Sequence, residues 1–438
     1  MLKVGASAID ITSPVGTALD GYGGRTDVGI GVHDPLYARA LYVSDGVVEI
    51  VLVVCDLIGI GHELRTMAID LIAARPGIPS ANVMISATHT HAGPVGVRGT
   101  SDPVLLELTA RKIAGSVMLA KRNAQEGQLK YGTVPLESIS QNRRHPDWPI
   151  DHRLDVLAAD TAGGTNIATV ARYSCHPTTM ERDNLDISAD YPGEACRTIE
   201  RNIPGSTALF FNGCCGNINP AWMRQEFDEV YRLGSIVGMK AAALSQEMRT
   251  HGPGHRAHNI RWNELTPTPT TSGQLVPEAP LRAAIRTLTL PYRIGPDDAE
   301  MAARIAAFEA EVAAAPDTET RRTAAAKLTR AQMERVALGR IAGRGATRED
   351  DVQAFRLGQD LYVLALPGEV FVETQEEIRA AVNMPNLIVI SYANGYPGYF
   401  CRAEAFDQGG YEAGVAPFAP EADEMLVKGA IAVLEEVR

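Results

Sequence analysis

The chain has 438 residues, 45% hydrophobic and 21% charged, with a formal net charge of −12. That length can bury a sizeable core and admits either two or three domains or one large α/β unit. The acidic balance, with no basic run of five or more, argues against nucleic acid and anionic membranes as main partners, and no apolar stretch approaches the ~18 residues of a membrane span.

Residues 1–12 read as a strand; no charged segment precedes a long apolar one, so no signal peptide is expected and the expected setting is cytoplasmic. The six cysteines (Cys55, Cys175, Cys196, Cys214, Cys215 and Cys401) lack zinc-ribbon or redox spacing and are expected as reduced thiols. Residues 47–56 form a near-continuous β-branched run, the pattern of a strand covered on both faces, and Ser44-Asp45-Gly46 joins it to 40–43 as a hairpin. Helices are expected near 61–74 and 103–122. Strands are expected at 83–88, 127–133, 153–160 and 167–174, the last two joined by a Gly-Gly turn. A further strand at 208–212 precedes a helix near 223–248.

Residues 251–281 turn to His, Pro, Thr and Gly and read as a long surface loop. Pro296-Asp297-Asp298 starts a helix in which Met301, Ile305, Phe308 and Val312 recur at helical spacing. Pro316-Asp317 interrupts it before a second helix, so 296–342 is expected to be an inserted helical hairpin, either a plain surface element, a homo-oligomer contact or a lid. Strands near 352–357 and 361–366, a helix at 371–382, a strand at 387–392 and an amphipathic helix at 421–437 complete an α/β chain read as one unit from 1 to 438.

Four separated segments put metal-competent side chains at strand ends or in loops. His89 and His91 stand at i and i+2 after an apolar run, the spacing that puts two side chains on one face of an extended strand. His176 ends a strand just before Pro177, Glu369 follows a Pro-Gly turn, and residues 392–399 carry three tyrosines. Two histidines and a carboxylate are a common catalytic zinc set, although spacing alone leaves the ligand assignment open. Asp34 and Asp56 read as strand-end turn formers or as support for a zinc histidine.

In order along nearly the whole chain, these motifs resemble the catalytic part of the neutral, non-lysosomal ceramidases. The resemblance runs through Asp10-Ile11-Thr12-Ser13-Pro14, Gly21-Tyr22-Gly23, residues 33–40 and Thr88-His89-Thr90-His91-Ala92-Gly93-Pro94. It continues through Asn142-Arg143, His176-Pro177-Thr178, residues 216–220, Pro367-Gly368-Glu369 and the tyrosine-rich segment 392–411. The resemblance implies a mixed-sheet α/β catalytic domain and Zn²⁺ held by His89, His176, Glu369 and Tyr399. Tyr399 is preferred to Tyr396 because it lies twelve positions before Tyr411. His91 and Tyr411 would then face the scissile carbonyl, with Arg143 on the substrate side.

Two departures shape the expected activity. The family's proposed serine nucleophile is Asn219 here, and Asn217 stands where the family has aspartate, so activated water is the expected attacking group and Asn219 would orient it or the substrate. Neither a signal segment nor the family's C-terminal immunoglobulin-like domain is expected, which favours a small soluble N-acyl substrate over ceramide. The reading is therefore a zinc amidohydrolase. Its rivals are a zinc hydrolase of esters, cyclic amides or sugar-derived compounds, a binding protein with a decayed site, and a cysteine hydrolase at Cys215.

Overall fold

The computed structural model describes residues 1–23, 25–95, 102–250 and 274–438. Its largest sheet has the strand order β11-β9-β8-β6-β1-β3-β4-β5. These are β1 (Leu2–Asp10), β3 (Tyr37–Ser44), β4 (Glu49–Cys55), β5 (Val83–Ala87), β6 (Gln125–Pro135), β8 (Arg153–Thr161), β9 (Asn166–Tyr173) and β11 (Thr207–Asn212), with the short β13 (Gln274–Leu275) added to β6. A second sheet has the order β14-β15-β16-β18: β14 (Arg282–Pro291), β15 (Thr347–Arg356), β16 (Tyr362–Ala365) and β18 (Leu387–Ile390). Three two-stranded pairs finish the β structure. They join β2 (Gly31–Val32) to β10 (Asp186–Ile187), β7 (Ser140–Asn142) to β12 (Ile218–Pro220), and β17 (Glu369–Val370) to β19 (Tyr399–Phe400).

The two large sheets stack face to face with helices outside each, and alternation along single strands shows why. Ile50, Leu52 and Val54 of β4 pack with Phe355, Val363 and Ile388 of the second sheet. Val51, Val53 and Cys55 of the same strand face α1 (His62–Ala74) and α2 (Pro103–Arg122). The apolar run at 47–56 thus serves two cores at once, as period-2 geometry requires. Farther along, α3 (Asp190–Asn202) and α4 (Phe227–Thr250) cover β8, β9 and β11. The outer face of the second sheet packs on α7 (Val372–Val382) and α10 (Ala422–Val437).

The expected hairpin at 296–342 is present as α5 (Asp298–Ala314), opened by an Asp297/Glu300 capping box, and α6 (Thr318–Ile341), capped by Asp317. The short helices α8 (Ala403–Gln408) and α9 (Tyr411–Val415) lie beneath it: the Arg330 guanidinium donates to the Phe406 carbonyl at 2.9 Å, and Met333 packs against Gly414.

Three expectations need correction. His89 and His91 do not share a strand: β5 stops at Ala87, and His89 has φ +72°, so a turn rather than an extended backbone brings the rings together. The helix α3 went unread because its first turn holds Pro192 and Gly193, which look like a break although proline is tolerated there. Of the loop expected at 251–281, residues 251–273 lie outside the described residues, while Gln274–Leu275 form a strand on Tyr131 and Lys130.

Asp34 and Asp56 serve as structural acceptors and make no hydrogen bond to His89, His91 or His176. Asp34 accepts from Ser188, the Ala189 backbone and Arg197, and Asp56 accepts from the Tyr37 backbone N–H at 2.9 Å. Burial, partly offset by Arg39, raises the Asp56 carboxyl to about 6. A carboxyl raised on folding stabilises the fold fully below its unfolded value near 3.9 and loses that contribution as pH rises through about 6. Asp56→Asn keeps an oxygen for Tyr37 but cannot ionise. Its stability relative to wild type should therefore increase between pH 4 and 7.5, by at most about 3 kcal/mol. Urea denaturation at several pH values checks this, and a pH-independent difference would contradict it.

Candidate active site

The site forms where carboxyl ends of strands from both sheets meet, the position at which open α/β sheets characteristically gather function. The chain after β5 carries His89 and His91, the chain after β9 carries His176, and β16 leads through Pro367-Gly368 into Glu369. Backbone hydrogen bonds join these ends: Ser391 N–H donates to Asn212 O, and Asn394 N–H donates to Ile85 O. In the β17–β19 pair Glu369 stands directly opposite Tyr399.

The imidazoles of His89 and His176 are fully buried, and their outer nitrogens are tied to main-chain carbonyls: His89 Nδ1 to Ile58 O at 2.6 Å, His176 Nδ1 to Cys215 O at 2.6 Å. A carbonyl only accepts, so each Nδ1 carries the proton and each Nε2 presents a lone pair. Both lone pairs face Glu369 Oε2, at 3.5 Å from His89 and 3.3 Å from His176. Burial, aided by the Arg143 charge, lowers His176 to about 4. Two imidazole lone pairs and a carboxylate thus converge, an arrangement that could hold a cation. A tetrahedral ion with bonds of about 2.0–2.1 Å sets its ligand atoms roughly 3.4 Å apart, which these separations match.

His91 joins the same group, its Nε2 3.2 Å from that of His89, and the three histidines offer ring nitrogens within 4.8 Å of one another. Its other nitrogen differs from theirs. His91 Nδ1 is buried without a hydrogen-bond partner among the described residues. Burial and then the neighbouring imidazoles push its pKa well below the usual value. The ring packs against Tyr22 and closely against Gly21, where a β-carbon would meet it at 2.6 Å and φ is +106°. The Gly21-Tyr22-Gly23 motif therefore owes its first glycine to this contact.

Arg143 is the hub of the opposite wall. Its guanidinium donates to Glu412 Oε1 at 2.6 Å, Gly216 O at 2.7 Å, the Tyr399 hydroxyl at 3.0 Å and Asn219 Oδ1 at 3.3 Å. With its oxygen engaged, Asn219 turns its NH₂ away from Arg143; the Tyr399 hydroxyl accepts from Arg143 and keeps its own proton to donate. The Tyr411 ring meets Tyr399 edge-on at 5.9 Å. Arg143, Asn219, Glu369, Tyr399 and Tyr411 line, with His91, a cavity of about 620 Å³. All eight candidate residues thus come together.

The sequence reading missed several neighbours. Tyr396 donates its hydroxyl to Glu369 Oε1 at 2.6 Å, which leaves Oε2 for the histidines. Tyr392 stacks on His89 at 4.2 Å. Tyr22, Thr178, Trp222, Gln225 and Arg340 also line the cavity. Tyr396 was visible in the tyrosine-rich segment, but spacing there favoured Tyr399; Trp222, Gln225 and Arg340 lie outside every motif and offered no signal. Cys215 is fully buried, contacts Tyr392 and has its thiol pushed up by burial, which keeps it protonated.

Known proteins carry related sequences and the same fold. Residues 2–213 match the sequence profile described as neutral/alkaline non-lysosomal ceramidase, N-terminal. The chain is 25% identical over 477 aligned positions to a neutral ceramidase of Pseudomonas aeruginosa, covering 95% of this chain and 69% of that protein. It is 27% identical to neutral ceramidase B of Dictyostelium discoideum, covering 46% of this chain but 32% of the relative. The crystal structure of the Pseudomonas aeruginosa neutral ceramidase superposes on all of this chain and 75% of its own, with a TM-score of 0.72 at 20% identity, a shared fold. Over residues 2–213 the chain thus resembles the neutral/alkaline non-lysosomal ceramidases, and as a whole it shares the fold of one of them.

Proposed function

We propose that the protein is a zinc-dependent amidohydrolase that cleaves a small, soluble N-acyl compound by attack of activated water. The observation that carries this reading is the convergence of His89 Nε2, His176 Nε2 and Glu369 Oε2 with both histidine tautomers fixed from outside. These three and Tyr399 would hold the zinc, which would supply Lewis acidity to polarise a carbonyl and acidify water. The protein's own groups do the rest. His91, whose free Nδ1 lets it gain or lose a proton, exchanges one with the nucleophile and then with the leaving amine. Tyr411 and the Asn219 amide donate to the developing oxyanion. Glu412 and Gly216 hold the Arg143 guanidinium so that these donors keep their aim.

The substrate side of the proposal rests on the cavity wall. Among the described residues Asp20, Thr178, Asn219, Gln225 and two arginines stand beside Ile58, Trp222, four tyrosines and three glycines. A long acyl chain would desolvate those polar groups without satisfying them. Zinc-loaded protein should hydrolyse short N-acyl compounds at least about tenfold more efficiently than long-chain ceramide in detergent. Parallel assays of fluorescent ceramides and short N-acyl substrates measure the ratio; ceramide kcat/KM at about 10⁴ M⁻¹s⁻¹ or above with weaker short-chain activity would reverse the substrate assignment.

A further inference from the structure

The inserted hairpin contributes one residue to the cavity, Arg340, from the last turn of α6. Its neighbours on that helix are engaged elsewhere: Arg335 pairs with Asp298 at 2.7 Å, Glu334 pairs with Arg293 and Arg304, and Arg330 donates to Phe406 O. The first two hold α6 to α5 and to the strand end at Arg293, and the last ties it to α8. Arg340 itself has no carboxylate partner among the described residues, although its charge reaches the Tyr411 hydroxyl.

The remaining charges in the cavity wall are balanced. Arg143 spends its donors on Glu412, Gly216, Asn219 and Tyr399. Glu369 faces the two imidazoles, and Asp20 accepts from the Gly21 backbone beside the Arg25 charge. What remains is a guanidinium on the side of the cavity contributed by the hairpin, shared with the proposed oxyanion donor Tyr411. A guanidinium left facing a ligand cavity is suited to bind a carboxylate or another small oxyanion through charge-assisted hydrogen bonds.

We infer that the substrate carries an anionic group, and that Arg340 of the inserted hairpin recognises it while the scissile amide lies between His91 and Tyr411. This inference rests on the amidohydrolase reading above and names its substrate class.

Two matched pairs test it with the full-length, zinc-loaded protein. N-hexanoylglycine and its carboxamide differ in charge on the amine side; N-succinyl- and N-butyrylaniline differ on the acyl side. Wild type should favour the anionic member of at least one pair by about 10- to 100-fold in kcat/KM and in calorimetric affinity. In Arg340→Gln that ratio should fall toward one, and in Arg340→Glu it should invert. Arg335→Gln, on the same helix but paired with Asp298, should retain the wild-type ratio and so controls for damage to the hairpin. No anion preference in either pair by either readout, or a preference untouched in Arg340→Gln, overturns the inference. Anion-selective binding that depends on Arg340 without hydrolysis of any member would uphold it and refute the amidohydrolase reading instead.

Discussion

His176→Ala is expected to abolish tight zinc binding and to lower turnover by at least about 10³-fold. His176 is fully buried, its Nδ1–H is tied to Cys215 O, and its Nε2 faces Glu369 Oε2 at 3.3 Å. Removing the ring takes away one lone pair of the convergent set and leaves a small polar void, with Glu369 and His89 facing each other across 3.5 Å. Elemental analysis of wild type and variant after dialysis reads the metal directly: about one zinc per chain in wild type and near none in the variant. A wild type that takes up no zinc, or a variant that keeps it, would defeat the ligand assignment whatever the activity.

The second large effect is expected at Arg143. Arg143→Met removes donors to Tyr399, Asn219 and Gly216 in one step and breaks one of the two arginine contacts of Glu412, whose other partner is Arg144 at 2.9 Å. The Tyr399 hydroxyl and the Asn219 amide lose the bonds that orient them, and kcat should fall about 10²- to 10³-fold. Because Glu412 keeps Arg144, the fold should survive with a loss of roughly 2–3 kcal/mol, below the full cost of stranding a buried charge. Zinc content should stay near wild type, which separates this variant from His176→Ala. A kcat within threefold of wild type would reduce Arg143 to a structural role.

How far the sequence reading reached follows from where its signals lie. Alternating and helical periodicities are local, so the strands at 47–56 and 153–160 and the helices at 61–74 and 103–122 could be read without tertiary information. The stacking of two sheets could not, because it depends on which face of each strand meets which partner. The residue types at His89, His176 and Glu369 suggested metal chemistry, and the ordered motifs singled them out. Their convergence depends on backbone turns that no periodicity announces, above all the left-handed conformation at His89. Arg340 marks the other limit: it belongs to an exposed helix of ordinary composition, and only the path of the hairpin brings it to the cavity.

That path has an evolutionary consequence. The insertion leaves the second sheet after Pro291 and rejoins it at Thr347, residues that are direct partners on one rung of the β14–β15 ladder, and Tyr292 N–H donates to Ala346 O just beyond. A segment whose two ends meet at a single rung can be lengthened, shortened or exchanged without shifting the strands that lead to Glu369 and the histidines. Exchange of this segment would therefore change the cavity wall at Arg340 while leaving the β14–β15 register in place.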